Sequence, residues 1–231
     1  KSPYCDDPHN YGILRTSAED LKFYAKEIAK MGFQMNTHAI GDSTVSVLLN
    51  EYKKILKDID DPRWRIEHSQ VVDINEFELY NEKILPSIQP THATSDMYWA
   101  YDRLGSRIKG AYAFKDLLNS SSRVALGTDF PVEKVNPFHT FYSSVERKDL
   151  NGYPENGFQM ENSLTREETL KGMTIWGAYF NFEEHEKGSL EVGKSADFIV
   201  LNQNIMEVEA DLIPNTEVIQ TYIDGELVYS K

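Results

Sequence analysis

The sequence predicts an α/β protein made of parallel strand–helix repeats. Two observations support this prediction, and the second of them favours a barrel over an open, doubly wound sheet. Four short apolar strands alternate with helical patterns, and polar side chains follow each strand at the point where it ends. An open sheet that binds a flavin or a dinucleotide normally has a glycine-rich phosphate loop, and this sequence contains none.

The repeats follow one another at about the length of one strand–helix unit. Apolar residues at helical spacing predict helices between the strands, and Ser17 and Asp42 are the expected caps of the first two. The predicted strands are Phe33 to Thr37, Arg63 to Glu67, Ile84 to Gln89 and Arg123 to Gly127. The further helices are predicted over Val45 to Ile55, Asp73 to Tyr80 and Ser106 to Asn119, with an irregular stretch at residues 93–105.

The last third of the chain changes character. A long polar segment with several Pro and Gly residues follows Asp129, and a helix is expected from Thr165, with Glu168 completing a capping box, to about Phe182. From Gly188 the pattern is that of β-strands joined by tight turns, with a type I′ hairpin predicted at Asp224-Gly225. We therefore expect a barrel domain over residues 1–187 and part of a small β-sandwich over residues 188–231.

Composition limits the possible partners. The formal net charge of −13 argues against binding to nucleic acid or to an anionic membrane surface. No apolar run approaches the roughly 18 residues of a membrane span, and no signal-peptide pattern is present, so a cytoplasmic location is expected. The single Cys5 excludes a disulfide within the chain.

Three side chains at strand ends predict a metal site. His38, His68 and Asp129 each follow a strand, and the carboxyl ends of parallel strands meet on one face of a barrel. Two imidazoles and one carboxylate suit a borderline divalent metal such as zinc, with a coordination position left for water. In this hypothesis the metal activates water, while Asp129 is also catalytic and takes and returns a proton.

Each of these residues also has a structural interpretation. His38 could be a hydrogen-bonded strand-end residue, His68 could belong to a surface ion pair, and Asp129 could simply form a turn. His92 follows the third strand and is expected either to contact substrate and polarise its carbonyl, as a catalytic residue, or to support the wall of the site. Tyr98 and Trp99 could line a substrate pocket or pack in a core or lid.

Five segments in order carry a family resemblance: THAIGD, RIEHSQ, QPTHATSDM, LGTDFPV and GSLEVGKSADFIVL. They resemble the metal-dependent amidohydrolase superfamily, in the branch that includes the N-substituted formamide deformylases. The resemblance implies that His38 and His68 are the metal ligands of barrel strands five and six, and that Asp129 is the acid of strand eight. It also implies that the last segment returns into a β-sandwich built from both termini.

The resemblance further implies that a complete member has a His-x-His pair on strand one, which this chain lacks. We therefore expect the C-terminal half of a (β/α)₈ barrel, and a fragment of a zinc-dependent hydrolase of non-peptide carbon–nitrogen bonds in amides, formamides or cyclic amides. The alternative is a half-barrel that is inactive by itself and self-associates as a homo-oligomer or pairs with the missing N-terminal half. A metal-free glycosidase fits less well, because no pair of strand-end acids stands out.

Overall fold

A computed structural model describes all residues from 1 to 231. Two compact units divide the chain between them. The first comprises residues 1–88 and 95–124, and the second comprises residues 89–94 and 125–231. The sequence predicts a different division, with a barrel domain ending at residue 187 and a β-sandwich starting at residue 188. That domain boundary stays a prediction.

The first unit contains three parallel strands with helices between them. The strands are β1 (Asn36–Ala39), β2 (Trp64–His68) and β3 (Ile84–Ile88), paired in that order. The helices are α1 (Ala18–Lys30), α2 (Asp42–Ile55), most of α3 (Pro90–Leu104), and α4 (Phe114–Ser121). Parallel pairing and the strand–helix alternation confirm the predicted α/β class.

The core of this unit is formed by apolar side chains from α2 and β2. Side chains of α2 recur at helical spacing and are almost fully buried, and alternate residues of β2 are buried in the same way. This apolar face of α2 and the buried strand face together consist of Val45, Leu48, Leu49, Tyr52, Trp64 and Ile66.

The first strand begins later than predicted, and His38 lies within it rather than after it. Phe33 was expected in the strand, but its backbone N–H bonds to the carbonyl of Ile28, and that of Gly32 bonds to Ala29. These two bonds form a Schellman motif, with Gly32 in the left-handed region at φ 73°. Phe33 therefore belongs to the end of α1, and its side chain is exposed.

Two helix starts also differ from the prediction. Gly41 is the N-cap of α2, and Asp42 is its first helical residue, with its carboxylate bonded to the Lys1 amine and to Arg107. The helix expected from Asp73 to Tyr80 is reduced to a 3₁₀ turn, Phe77–Leu79. The Asp73 side chain accepts from the backbone N–H of Asn75, and such a local bond competes with helix formation.

The stretch expected to be irregular is α3 instead. Pro90 occupies the first helical position, where its missing N–H costs nothing. The helix predicted over Ser106 to Asn119 is interrupted, because the chain pairs there with the segment after β2. The N–H of Tyr112 bonds to the carbonyl of Gln70, and the N–H of Val72 bonds to Gly110. Tyr112 adopts φ 52°, which ends the first turn before α4 begins.

The second unit combines helices with an antiparallel sheet. Its elements are β4 (Ala125–Leu126), α5 (Pro137–Glu146), α6 (Arg166–Met173), α7 (Ile175–Phe180), β5 (Phe198–Leu201), β6 (Val218–Ile223) and β7 (Glu226–Ser230). The last three form a sheet in the order β5-β6-β7, with the predicted hairpin at residues 224 and 225. Both hairpin residues have positive φ, as a type I′ turn requires.

Two helices of this unit differ from the prediction. Helix α5 lies in the segment expected to be a polar loop, where Asn136 caps it by accepting from the N–H of Phe138. The helix predicted from Thr165 is two helices, which are separated at Thr174. The core of the unit is a cluster of Phe138, Phe141, Tyr142, Ile205 and Ile213.

The helices of the structure are short. The longest, α3, has 15 residues, and none combines the length with the apolar character that a bilayer crossing demands.

Candidate functional site

The first unit brings two of the predicted ligands together. The imidazole rings of His38 and His68 lie with centroids 4.5 Å apart and planes at 75°. In the parallel register His38 is opposite Glu67 and Ala39 is opposite His68, so the two histidines are one position apart on adjacent strands. His38 is exposed, whereas His68 is buried. Imidazole nitrogens are among the donors that zinc takes in proteins, so the residue types of this pair suit a zinc-type ion.

The backbone at His68 is strained. His68 has φ 73° and Ser69 has φ 45°, a region that L-residues seldom occupy. Buried hydrogen bonds stabilise the turn: the Ser69 hydroxyl donates to the carbonyl of Ile66 and accepts from the Tyr80 hydroxyl. Strain of this kind persists only where the surrounding structure fixes it, and it concentrates at functional sites. The interpretation of His68 as a residue that merely makes a surface ion pair is weakened, since its side chain is buried.

The second unit brings His92 and Asp129 together. Nε2 of His92 lies 3.2 Å from Oδ2 of Asp129, and Nδ1 lies 3.2 Å from Oε1 of Glu133. His92 is in the first turn of α3, and its side chain is 11% exposed. Asp129 is more open, at 36%, so its carboxylate remains accessible to a small molecule.

Asp129 also forms a turn, as its structural interpretation proposed. It adopts φ 59°, and its carbonyl accepts from the backbone N–H of Val132. The turn-forming role and a chemical role are compatible, because the backbone makes the turn and the carboxylate is used separately. Asp is among the few residues that tolerate this conformation.

A cavity of about 750 Å³ opens beside His38 in the first unit. A cavity of this size accommodates a drug-sized molecule. Trp99 lines it, as do Gln70 and Tyr112, together with Tyr11 and other residues of the N-terminal loop. Tyr98 does not line this cavity.

The sequence did not point to every group of these clusters. Glu133 was missed, and the only available signal was its position four residues after Asp129 in a turn-forming segment. A network around Gln70 was also missed. The Gln70 amide donates to Asp96 and to the Tyr112 hydroxyl, which in turn donates to Asp96 at 2.8 Å. These residues are far apart in sequence, so no spacing pattern reveals them.

Comparison with known proteins supplies the family. The model of the amidohydrolase family matches residues 2–229. The chain is 32% identical to Protein LONG AFTER FAR-RED 3 of Arabidopsis thaliana, covering 98% of this chain and 39% of that protein. It is 31% identical to the putative amidohydrolase YtcJ of Bacillus subtilis strain 168, covering 100% of this chain and 44% of that protein. The chain thus spans about two fifths of the length of these relatives.

A solved structure agrees with the sequence relatives. An uncharacterized metal-dependent hydrolase from Pyrococcus furiosus superposes with a TM-score of 0.77 at 27% identity, over 90% of this chain and 41% of that one. The resemblance expected from the five sequence segments is confirmed, and the chain belongs to the amidohydrolase family.

Proposed function

We propose that this chain is the C-terminal portion of a metal-dependent hydrolase that cleaves non-peptide carbon–nitrogen bonds in amides, formamides or cyclic amides. The observation that carries the proposal is the His38–His68 pair, with rings 4.5 Å apart on adjacent parallel strands of an amidohydrolase-family chain. Proteins with similar sequences include an N-substituted formamide deformylase from Arthrobacter pascens, at 21% identity. That relative supports the choice of an amide-type small-molecule substrate.

The proposed cofactor is a divalent cation, most simply zinc, held by His38, His68 and Asp129. Imidazole nitrogen and carboxylate oxygen are the donors that zinc takes in catalytic sites, so the chemistry of this donor set fits. When bound, such a cation lowers the pKa of a coordinated water towards neutrality and polarises a carbonyl.

Asp129 has the second role of moving the proton. Its carboxylate takes a proton from the attacking water and later returns it to the leaving nitrogen, so that an amide and water become an acid and an amine. His92 lies beside Asp129 and is proposed to hydrogen-bond the substrate carbonyl as charge develops on its oxygen. Both residues belong to the second unit, and their 3.2 Å contact supports a shared role.

The cavity beside His38 is proposed to bind an apolar substituent of the substrate. Aromatic and aliphatic side chains form much of its wall, among them Trp99, Tyr11 and Ile13. We propose that Trp99 contacts this substituent, and that Tyr98, which is exposed on the same helix, contacts substrate from outside the cavity.

The active form is proposed to include the residues that the resemblance implies upstream, above all a His-x-His pair. The share of the relatives that this chain covers supports the proposal. The competing proposal is an inactive half-barrel that self-associates or waits for its N-terminal part. Metal content separates the two: the first expects the 231-residue chain to bind cobalt(II) through His38 and His68, and the second expects no specific uptake.

The experiment measures amine release from formanilide and an acetanilide, ring opening of a cyclic amide, and phenol release from a matched aryl ester. The protein tested is the chain joined to its upstream coding segment. We expect a strong chelator to abolish amide cleavage and zinc to restore it. We expect Asp129→Asn to lower kcat by about 10²–10⁴-fold, the usual contribution of a positioned acid–base group.

The matched control is His185→Gln, because the side chain of His185 is 90% exposed and lies outside both clusters. Its activity and cobalt uptake should equal those of the unchanged protein, whereas His38→Gln should lose both. Amide cleavage that survives complete metal removal and Asp129→Asn would overturn the mechanism. Cleavage of the ester alone would overturn the assignment of the bond.

A further inference from the structure

One turn of the chain places two carboxylates against a single imidazole. The carbonyl of Asp129 accepts from the N–H groups of Val132 and Glu133, so the backbone reverses directly after Asp129. As a result Asp129 faces Nε2 of His92 and Glu133 faces Nδ1, each at 3.2 Å. Each ring nitrogen of His92 therefore faces one carboxylate, and the two carboxylates come from residues only four positions apart.

The two carboxylates differ in surroundings. The Glu133 side chain is 20% exposed, against 36% for Asp129. An ionised carboxylate only accepts hydrogen bonds, so a nitrogen of His92 that bonds to it must carry hydrogen. The partner of one ring nitrogen fixes the orientation of the ring and the role of the other nitrogen.

We propose that Glu133 is a positioning residue that accepts a hydrogen bond from Nδ1–H of His92 and thereby directs Nε2 towards Asp129 and the reacting group. Its effect on catalysis rests on the proposed function, but its effect on the His92 ring does not. Glu133 itself is separated from the Asp129 carboxylate by the ring and acts through His92.

The ring is tested first, in the 231-residue chain without substrate. Long-range ¹H–¹⁵N spectra of chain labelled in its histidine rings show which nitrogen carries hydrogen, and the signals missing in His92→Gln identify His92. We expect a slowly exchanging Nδ1–H in the unchanged chain. Glu133→Ala should lose that proton signal, and Glu133→Gln should retain it, because the amide oxygen accepts the same bond.

The controls separate positioning from folding. Signals of His185 should be unchanged in every variant, and Glu155→Ala, an exposed glutamate of the same unit, should leave the His92 signals unchanged. If Glu133→Ala fails to fold, Glu133→Asp tests the same point, because its shorter side chain withdraws the carboxylate from Nδ1. An Nδ1–H signal that persists in the folded Ala or Asp variant would overturn the proposal.

Turnover is the second measurement. For an active protein cleaving formanilide, Glu133→Ala should lower kcat by about 10–100-fold, as loss of an orienting partner does, while KM changes little. Glu133→Gln should restore most of kcat, which a merely structural glutamate would not require. A protein that cleaves no amide would remove the proposed function while leaving the result on the His92 ring intact. Equal kcat in the Ala and unchanged proteins would overturn the catalytic part of the inference.

Discussion

At the scale of single residues, the candidate site is marked by backbone strain as much as by side chains. His68 and Asp129 both adopt left-handed backbone conformations, and each such conformation costs of the order of 1–3 kcal/mol of folding free energy. The sequence revealed the identity of these residues but not their backbone angles, because strand-end position predicts side-chain direction and says nothing of φ. The bonds that stabilise the His68 turn come from Ser69 and Tyr80, eleven positions apart.

The strain at Asp129 predicts how substitutions there should behave. Asn tolerates φ 59°, so Asp129→Asn should change the free energy of unfolding by less than about 0.5 kcal/mol. Asp129→Val should lower the free energy of unfolding by about 1–2 kcal/mol more than Asp129→Asn does, because β-branched residues rarely adopt positive φ. Urea unfolding of both variants measures the difference. Asp60, exposed and with an ordinary backbone, is the control site, and an equal Asn–Val difference there would refute the strain argument.

Two buried phenols predict a loss of stability at alkaline pH. Burial raises the pKa of Tyr52 and of Tyr80 well above the usual value near 10. Above pH 10 the unfolded phenols lose their protons while the folded ones keep them, so the folded state binds more protons. The contribution of each phenol to the free energy of unfolding should therefore be constant below pH 9 and fall above pH 10, by up to about 1.4 kcal/mol per pH unit.

Urea unfolding at several pH values between 8 and 11 measures this slope. Tyr80→Phe removes one titrating group, and its slope above pH 10 should be smaller even though it is less stable at pH 8 through the lost bond to Ser69. A slope that is identical in Tyr80→Phe and the unchanged chain would show that these phenols do not control alkaline unfolding.

At the scale of elements, the sequence predicts features that depend on neighbouring residues, but it does not predict features that depend on contacts between distant segments. The N-cap at Ser17, the capping box of Thr165 with Glu168, and the hairpin at residues 224–225 are confirmed, because each depends on residues within four positions. The helix predicted over Ser106 to Asn119 failed for the opposite reason. Its break is caused by pairing with Gln70 and Val72, which lie some forty positions away.

Another non-local contact ends α2. The ammonium of Lys83 donates to the carbonyls of Leu56, Lys57 and Ile59, directly beyond the last residue of the helix. Leu56 is the C-cap of α2, so its carbonyl lacks a partner within the helix, and a cation beside the negative end of a helix is stabilising. Since Lys83 lies just before β3, this contact joins the end of the helix to the start of the strand.

Replacing Lys83 should show the strength of this cap. Lys83→Met keeps most of the aliphatic chain and removes the three bonds, and we expect it to lower the free energy of unfolding by about 1–2 kcal/mol. Lys53→Met, an exposed lysine in the last turn of the same helix, is the control and should cost less than about 0.5 kcal/mol. Equal losses in the two variants, measured by urea unfolding, would contradict the capping role.

At the scale of the whole molecule, family and class could be predicted from the sequence, because five short segments carry them in order. The parallel strands and the terminal β unit follow from hydrophobic period and turn residues. No pattern showed which groups surround each site residue, such as Glu133 beside His92 or the N-terminal loop around His38. Such contacts depend on how distant segments pack against each other, and this packing cannot be predicted from a single sequence by residue spacing.

The terminal sheet of the chain predicts association. Strand β7 is an edge strand in the order β5-β6-β7, and all five of its residues are exposed. Three of them are the large apolar residues Leu227, Val228 and Tyr229. An unpaired, apolar edge invites pairing with another strand, either from a second copy or from an N-terminal segment of the same protein. We therefore expect the 26.5 kDa chain alone to self-associate.

Sedimentation velocity over a hundredfold range of concentration tests this expectation. The unchanged chain should sediment faster as its concentration rises, whereas Val228→Lys should remain a monomer, because a lysine on an edge strand opposes pairing. Val192→Lys makes the same exchange at a fully exposed loop position of the same unit and should behave like the unchanged chain. If Val192→Lys also abolishes association, added charge and not the β7 edge is the cause, and a chain that stays monomeric throughout would contradict the prediction.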